Sequence, residues 1–137
     1  MSSALPVDRS SIPYVHWQMA LDTYDGASAI GQIAAGLDDL HQTIWTIVLT
    51  EKGTVPLQPE KCTRLLPWID RAPAEAIPNF TREIFDAITA WEPRVLVERI
   101  APRAVSSSQW LFPVFWRPRA DVTASLQVTE VPYGAAR

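Results

Sequence analysis

The chain has a single cysteine, Cys62, in 137 residues. A lone thiol closes no internal disulfide and has no second sulfur with which to build a zinc site, so a reducing cytoplasm is the compartment that fits best. Histidine is almost as scarce. His16 has no second His, Cys or carboxylate at a metal-binding offset, and His41, beside Asp38 and Asp39, reads as a surface residue at the start of a helix rather than a tuned base. Lys and Arg form no cluster and the net charge is -3, which argues against a dedicated nucleic-acid surface. Arg117 and Arg119, around Pro118, read as a solvated turn. No charged-then-apolar leader and no run of about eighteen apolar residues is present, so neither export through a signal nor a bilayer span is expected. Nothing calls for a metal or a cofactor.

What the chain has in excess is proline. Twelve are present, nearly twice average usage, and they fall at almost every element boundary, which favours short elements and stiff connections. With 47% hydrophobic and 20% charged residues the composition is globular, and the length suits one domain with one core. Residues 1–13 lack any period and read as an extended or flexible arm. Residues 14–137 are expected to form a single domain, with helices over about 30–92 and a sheet over about 94–131.

Within that domain the periodicities are specific. Tyr14 to Leu21 alternates as a short strand, with Val15, Trp17 and Met19 on one face, and Asp22 to Gly26 turns the chain. From Ile30 the chain is helix-prone, and the best helix follows Gly36. Leu37, Leu40, Ile44, Ile47 and Val48 make its buried stripe, with Trp45 beside it and Asp38 and Asp39 in the first turn, where the helix dipole favours them. Gly53 is suited to a left-handed cap in the sequence Thr50-Glu51-Lys52-Gly53. The prolines from Pro56 to Pro78 forbid a long helix, so short helical turns are expected there, anchored by Cys62, Leu65, Leu66, Trp68 and Ile69, with a surface loop over 71–77. Cys62 reads as a small buried hydrophobe. Asn79 is placed to cap a second helix whose apolar stripe is Phe80, Ile84, Ala87, Ile88 and Trp91. Three strands follow. Val95, Val97 and Arg99 alternate with Leu96, Glu98 and Ile100. Gln109 to Trp116 is apolar on both faces and so is either central or awaits a partner. Val122, Ala124, Leu126 and Val128 face inward in the third strand, against Thr123, Ser125, Gln127 and Thr129. Connections of this length suit an antiparallel meander. The fold class is therefore α+β, with N-terminal helices on a small C-terminal antiparallel sheet of about three strands and room for an N-terminal strand.

The pivot is Trp91-Glu92-Pro93-Arg94, where helix becomes strand in one step. Pro93 disfavours helical backbone at Glu92 and cannot donate to the helix, so Glu92 and Arg94 flank a stiff corner. Held apart by that corner, they are expected to face outward together, where a partner reads both. This segment, the helix LDDLHQTIWTIVL over Leu37 to Leu49, the turn with Pro56 and Pro59, and the alternating strands after Arg94 together resemble the baseplate wedge family of contractile phage tails, a group that includes a baseplate component of type VI secretion systems. The resemblance spans about residues 30–133. It departs from the family at Thr54 and at Glu60-Lys61.

The resemblance implies a structural role in the virion tail baseplate, assembled in the host cytoplasm. Glu92, Pro93 and Arg94 would grip the helical core bundle of the other wedge proteins. The C-terminal sheet, through Val122, Ala124, Leu126 and Val128, would take strands from the first ring of sheath protein, with tail tube or hub proteins as further neighbours and six copies per baseplate. It implies no enzyme activity, no nucleic acid and no membrane. Two competing readings remain. One is a lysozyme-like peptidoglycan hydrolase using carboxylates among Glu83, Asp86, Glu92 and Glu98, which needs two acids across a sugar-sized cleft. The other is a soluble protein-binding adaptor of the same fold.

Overall fold

The computed structural model describes residues 16–21, 31–121 and 123–134. The arm over 1–13, Tyr14, Val15, the turn from Asp22 to Gly26, Ile30 and Val122 lie outside them. The architecture is α+β, with two helices and two antiparallel sheets. The chain forms two compact units, Met1–Gln42 and Thr43–Arg137, whose boundary falls inside helix α1 (Leu37–Leu49).

In the first unit β1 (Trp17–Met19) pairs antiparallel with β2 (Ile33–Ala35), so part of the stretch expected to be helix-prone is a strand. Gln18 turns inward: its side-chain amide donates to the carboxylate of Asp39 at 2.7 Å and to the Asp39 carbonyl at 2.8 Å. The alternation that turns Gln18 inward sends Trp17 and Met19 outward, and both are exposed. The start of α1 is tied to β1 a second time, because Gln42 donates to the Met19 carbonyl and accepts from the Leu21 amide.

The second unit holds the core. Ile44, Ile47 and Val48 of α1 are buried as their spacing predicts, whereas Leu37, assigned to the same stripe, is exposed. After α1 the chain makes a closed loop: Lys52 N donates to the Thr63 carbonyl, Thr63 N to that of Thr50, and Gly53 N to that of Pro59. Gly53, at φ 91°, serves this loop rather than a helix cap. A 3-10 turn at Leu66–Trp68 follows. Helix α2 is Pro73–Trp91, two turns longer at its start than Asn79 capping allows. Pro73 sits in the first turn, where no N–H is needed, and Pro78 lies inside the helix at the cost of one hydrogen bond. Burial explains the extension, since Ala76 and Phe80 sit one turn apart and both have 0% exposure. Asn79 instead donates to the Glu75 carbonyl.

The sheet is a meander built on β5 (Gln109–Pro118). Two short strands, β3 (Val95–Ile100) and β4 (Arg103–Ser106), pair with successive halves of it, and β6 (Gln127–Gly134) pairs with almost its whole length along the other edge. Trp110, Phe112, Val114 and Trp116 face the core, where Phe80 of α2 meets Trp110 and Phe112 at ring separations of 4.8 and 5.0 Å.

Two strands differ from their sequence patterns. In β3 a bulge at Glu98 shifts the register between Val97 and Arg99, so Ile100 joins Val95 and Val97 in the core and Arg99 turns outward. The third strand begins five residues later than its alternation suggests, because Asp121 folds the chain into a turn: its carboxylate accepts from both the N–H and the hydroxyl of Thr123. Those bonds hold the Asp121 carboxyl below its ordinary pKa. Ala124 and Leu126 therefore precede β6, and Val128, within it, is 43% exposed. The inward residues are Thr129 and Val131. Thr129 is drawn in by a hydrogen bond that Trp116 Nε1 donates to its hydroxyl at 2.8 Å. At the far end Gly134 packs against the hairpin of β4 and β5, where an added Cβ would come within 2.2 Å of the Ser108 carbonyl oxygen.

Candidate functional site

The elbow after α2 is built as the sequence dictates but filled differently. Glu92 leaves the helix at φ -130°, ψ 80°, the extended backbone a residue before proline prefers, while its N–H still closes the last helical bond to Ile88. Val95 N then donates to the Glu92 carbonyl, so residues 92–95 form a turn with Pro93 second, the position proline favours.

The two charged side chains meet, contrary to the expectation of an outward pair. Arg94 Nε and Nη2 each donate to a separate Glu92 carboxylate oxygen at 2.8 Å, a two-pronged contact, and Arg94 N adds a third bond at 3.1 Å. The local reason is the turn itself, which brings residues two apart to one side of the proline. Glu92 is buried, with 5% of its side chain accessible, whereas 33% of the Arg94 side chain reaches the surface. The corner thus presents Pro93 and the outer part of an arginine, with the glutamate beneath as its brace.

A second brace comes from Arg119, whose expected place in a solvated turn the structure corrects. Arg119 N donates to the Arg94 carbonyl at 2.8 Å and Arg119 Nε to that of Pro93 at 2.9 Å. Two carbonyls of the elbow are thereby fixed to the end of β5. Nor is Arg117 a solvated turn residue: its Nε lies 2.6 Å from a carboxylate oxygen of Glu98. The contact is a close ion pair rather than an aligned hydrogen bond.

The other candidate residues are dispersed. Glu83 accepts from the Arg64 amide and lies 3.7 Å from Lys52 Nζ. Glu92 and Glu98 are engaged by arginines, and Asp86 stands exposed on α2. A pocket at the hairpin end of the sheet, between Val105, Trp110, Leu111, Pro132 and Tyr133, is apolar and contains none of these acids. His16 is exposed. Among the described residues no three His, Cys, Asp or Glu side chains are grouped to hold a metal ion, and no helix is long and apolar enough to cross a membrane.

Cys62 is buried, at φ 77°. Burial pushes its thiol pKa up, against the opposing pull of the Lys61 charge and a hydrogen bond with Thr50. A thiol with a raised pKa in the folded state stabilises the fold fully below the unfolded thiol pKa of about 8.5, and this contribution is lost as pH rises beyond it. Urea unfolding at pH 7 and at alkaline pH should therefore show a smaller loss of stability in Cys62→Ala than in the parent chain. An equal loss in both would rule the thiol out as the source.

No protein-family model matches the chain, and no curated protein matches it by sequence. Its fold does have a solved counterpart. The crystal structure of a putative tail lysozyme from Geobacter sulfurreducens superposes with a TM-score of 0.63 at 16% identity, covering 74% of this chain and 92% of that one. At that identity the likeness is one of fold.

Proposed function

We propose that this chain is a structural subunit of a contractile tail baseplate, a wedge protein that holds the helical core bundle of its partners at the Glu92-Pro93-Arg94 elbow and starts sheath assembly at its C-terminal sheet. The observation that carries the reading is the braced corner. A proline turn pinned by Arg119 on one side and by a buried carboxylate on the other presents one arginine in a fixed attitude, as recognition of a rigid partner requires. The fold shared with a protein named for a tail agrees with it, as does the resemblance of residues 30–133 to the wedge family.

The sheath contact is narrower than the sequence pattern suggests. Glu130 sits opposite Pro113, whose carbonyl bonds to Ala101 on the β3–β4 side, so the backbone groups of Glu130 point away from β5. Its carbonyl is taken by Trp45 Nε1 at 3.1 Å, and Pro132, on the same outer edge, has no N–H to offer. Strand addition therefore fits the first half of β6, from Gln127 to Glu130. Val128 lies within that stretch, and Ala124 and Leu126 flank its approach.

The test is assembly. The double variant Glu92→Gln/Arg94→Gln removes both charges while leaving amides able to bond, and it should stay folded by circular dichroism yet fail to co-purify with co-expressed wedge proteins. Incorporation at the parent level would refute the assignment of the elbow. A second reading, peptidoglycan hydrolysis, is favoured by the name of the structural counterpart alone. Release of soluble fragments from purified peptidoglycan by the parent chain, abolished in Glu83→Gln or Glu98→Gln, would establish it in place of the first.

A further inference from the structure

The core face of the sheet is covered, and the other face is open in part: Pro113 at its centre is buried, while Leu111 and Phe115 on either side are half-buried. Directly opposed residues share a face. The outer face therefore carries Leu111, Pro113 and Phe115 on β5, with Arg103 facing Leu111 and Arg99 facing Phe115 along one border, and Pro132 and Val128 of β6 facing the same two residues along the other. Val128 and Pro132 are exposed, as are both arginines. Glu130, opposite Pro113, interrupts the apolar row on β6, so the face carries two apolar patches, Leu111 with Pro132 and Phe115 with Val128, each with an arginine beside it.

Those cations are not neutralised within the chain. Arg117 on this face pairs with Glu98, but Arg99 and Arg103 have no carboxylate partner among the described residues. Arg99 lies over the ring of Phe115, 4.3 Å from its centroid, which holds the guanidinium against that ring. Charge is also partitioned along the sequence. Residues 94–137 contain six arginines and three acids, whereas residues 1–93 contain twelve acids and six basic residues. Within the strands themselves Arg99, Arg103 and Arg117 stand against Glu98 and Glu130, and the Arg117–Glu98 pair leaves Arg99 and Arg103 as the cations of this face.

We infer that this outer face binds an acidic polypeptide segment of a partner protein. An apolar side chain of the segment packs on the accessible edges of Leu111 and Phe115, above the buried Pro113, and its carboxylates pair with Arg99 and Arg103. Both cations are arginine, whose planar fork matches a carboxylate with two parallel bonds where a lysine offers a point charge. The register sets the spacing. Leu111 and Phe115 are four residues apart, about 13 Å along the strand, so the acids of an extended segment stand four residues apart with the apolar anchor midway. Duplex nucleic acid fits poorly, because its evenly spaced phosphates would run across Glu98 and Glu130 on the same face. The surface shares Val128 with the edge of β6, but Arg99 and Arg103 belong neither to that edge nor to the elbow, so their variants test the inference independently of the wedge assignment.

The probe is a short capped peptide with two glutamates four positions apart and a phenylalanine between them, titrated into the purified full chain and followed by backbone amide NMR. Binding should shift the amides of β4 and β5 and weaken as salt is raised. It should weaken by about tenfold or more in Arg99→Gln/Arg103→Gln and vanish when the glutamates are replaced by lysine. Arg103→Gln alone, at an exposed side chain without a partner in the described fold, should give a partial loss with no change in melting temperature. Equal affinity for the parent and the double variant would overturn the proposal, as would shifts confined to other elements. So would tighter binding of a DNA duplex or of phosphatidylserine vesicles than of the peptide.

Discussion

Phe80→Ala is expected to lower the unfolding free energy by about 3–5 kcal/mol, the usual cost of emptying an aromatic site in a packed core. Phe80 has no exposed surface, and its ring meets Trp110 edge-on at an interplanar angle of 65° and Phe112 at 57°. It is the residue through which α2 grips the central strand, so its loss opens the contact between helix and sheet rather than one side of a pocket. Collapse around the gap is resisted on both flanks. Ala76 and Ile84, a turn before and a turn after, are themselves fully buried, and Trp110 is tied through its indole N–H to the Ile69 carbonyl at 3.3 Å. Against a total stability of about 5–15 kcal/mol for a domain of this kind, the variant should be partly unfolded at physiological temperature. Phe85→Ala, on the same helix but 43% exposed, serves as the control and should cost under about 1 kcal/mol. Urea unfolding of the two variants decides the matter. A loss at Phe80 no larger than that at Phe85 would mean that α2 is not held to the sheet through this ring.

That contact is legible in the sequence, because a helical stripe and a strand alternation are each a regular signal spread over many residues. Phe80, Ile84, Ala87 and Ile88 announce one, and Trp110 to Trp116 the other. What escaped were features decided by one or two side chains. The bulge at Glu98 breaks the period of β3 by a single residue and moves Arg99 out of the core and Ile100 into it, which no fixed period anticipates. In the third strand the apolar alternation of Val122 to Val128 is genuine, yet the Asp121–Thr123 turn delays the strand, and the bond between Trp116 and Thr129 selects the face that a count of hydrophobic residues rejects. Pro78 misled in the opposite sense, since the burial of Ala76 carries α2 past a residue that normally breaks a helix. The arginine excess of residues 94–137 was hidden by summing charge over the whole chain, where the acids of residues 1–93 outweigh it. At the elbow the backbone was legible and the side chains were not. A stiff proline suggests that Glu92 and Arg94 stand apart, whereas the turn it nucleates brings them together.

Because of that pairing, the two halves of the corner should fail in different ways when cut. Glu92→Ala removes the acceptor of three hydrogen bonds at once, two of them charge-assisted. Breaking a fully buried pair costs about 3–5 kcal/mol, but the Arg94 side chain is one-third accessible and can rehydrate, so a loss of about 2–3 kcal/mol is expected. Arg94→Ala leaves a carboxylate with 5% of its side chain accessible and no Arg94 guanidinium against it. The desolvation of that group is then no longer offset, so Arg94→Ala should lose more, about 3–5 kcal/mol. Urea midpoints of the two variants read the difference directly. If Arg94→Ala matched the parent, Glu92 would have to be solvated in the variant, and the buried brace beneath the arginine would not exist. If the predicted split appears, any assembly defect of the single variants contains a folding component, and the charge-neutral double variant is the one that isolates recognition at the elbow.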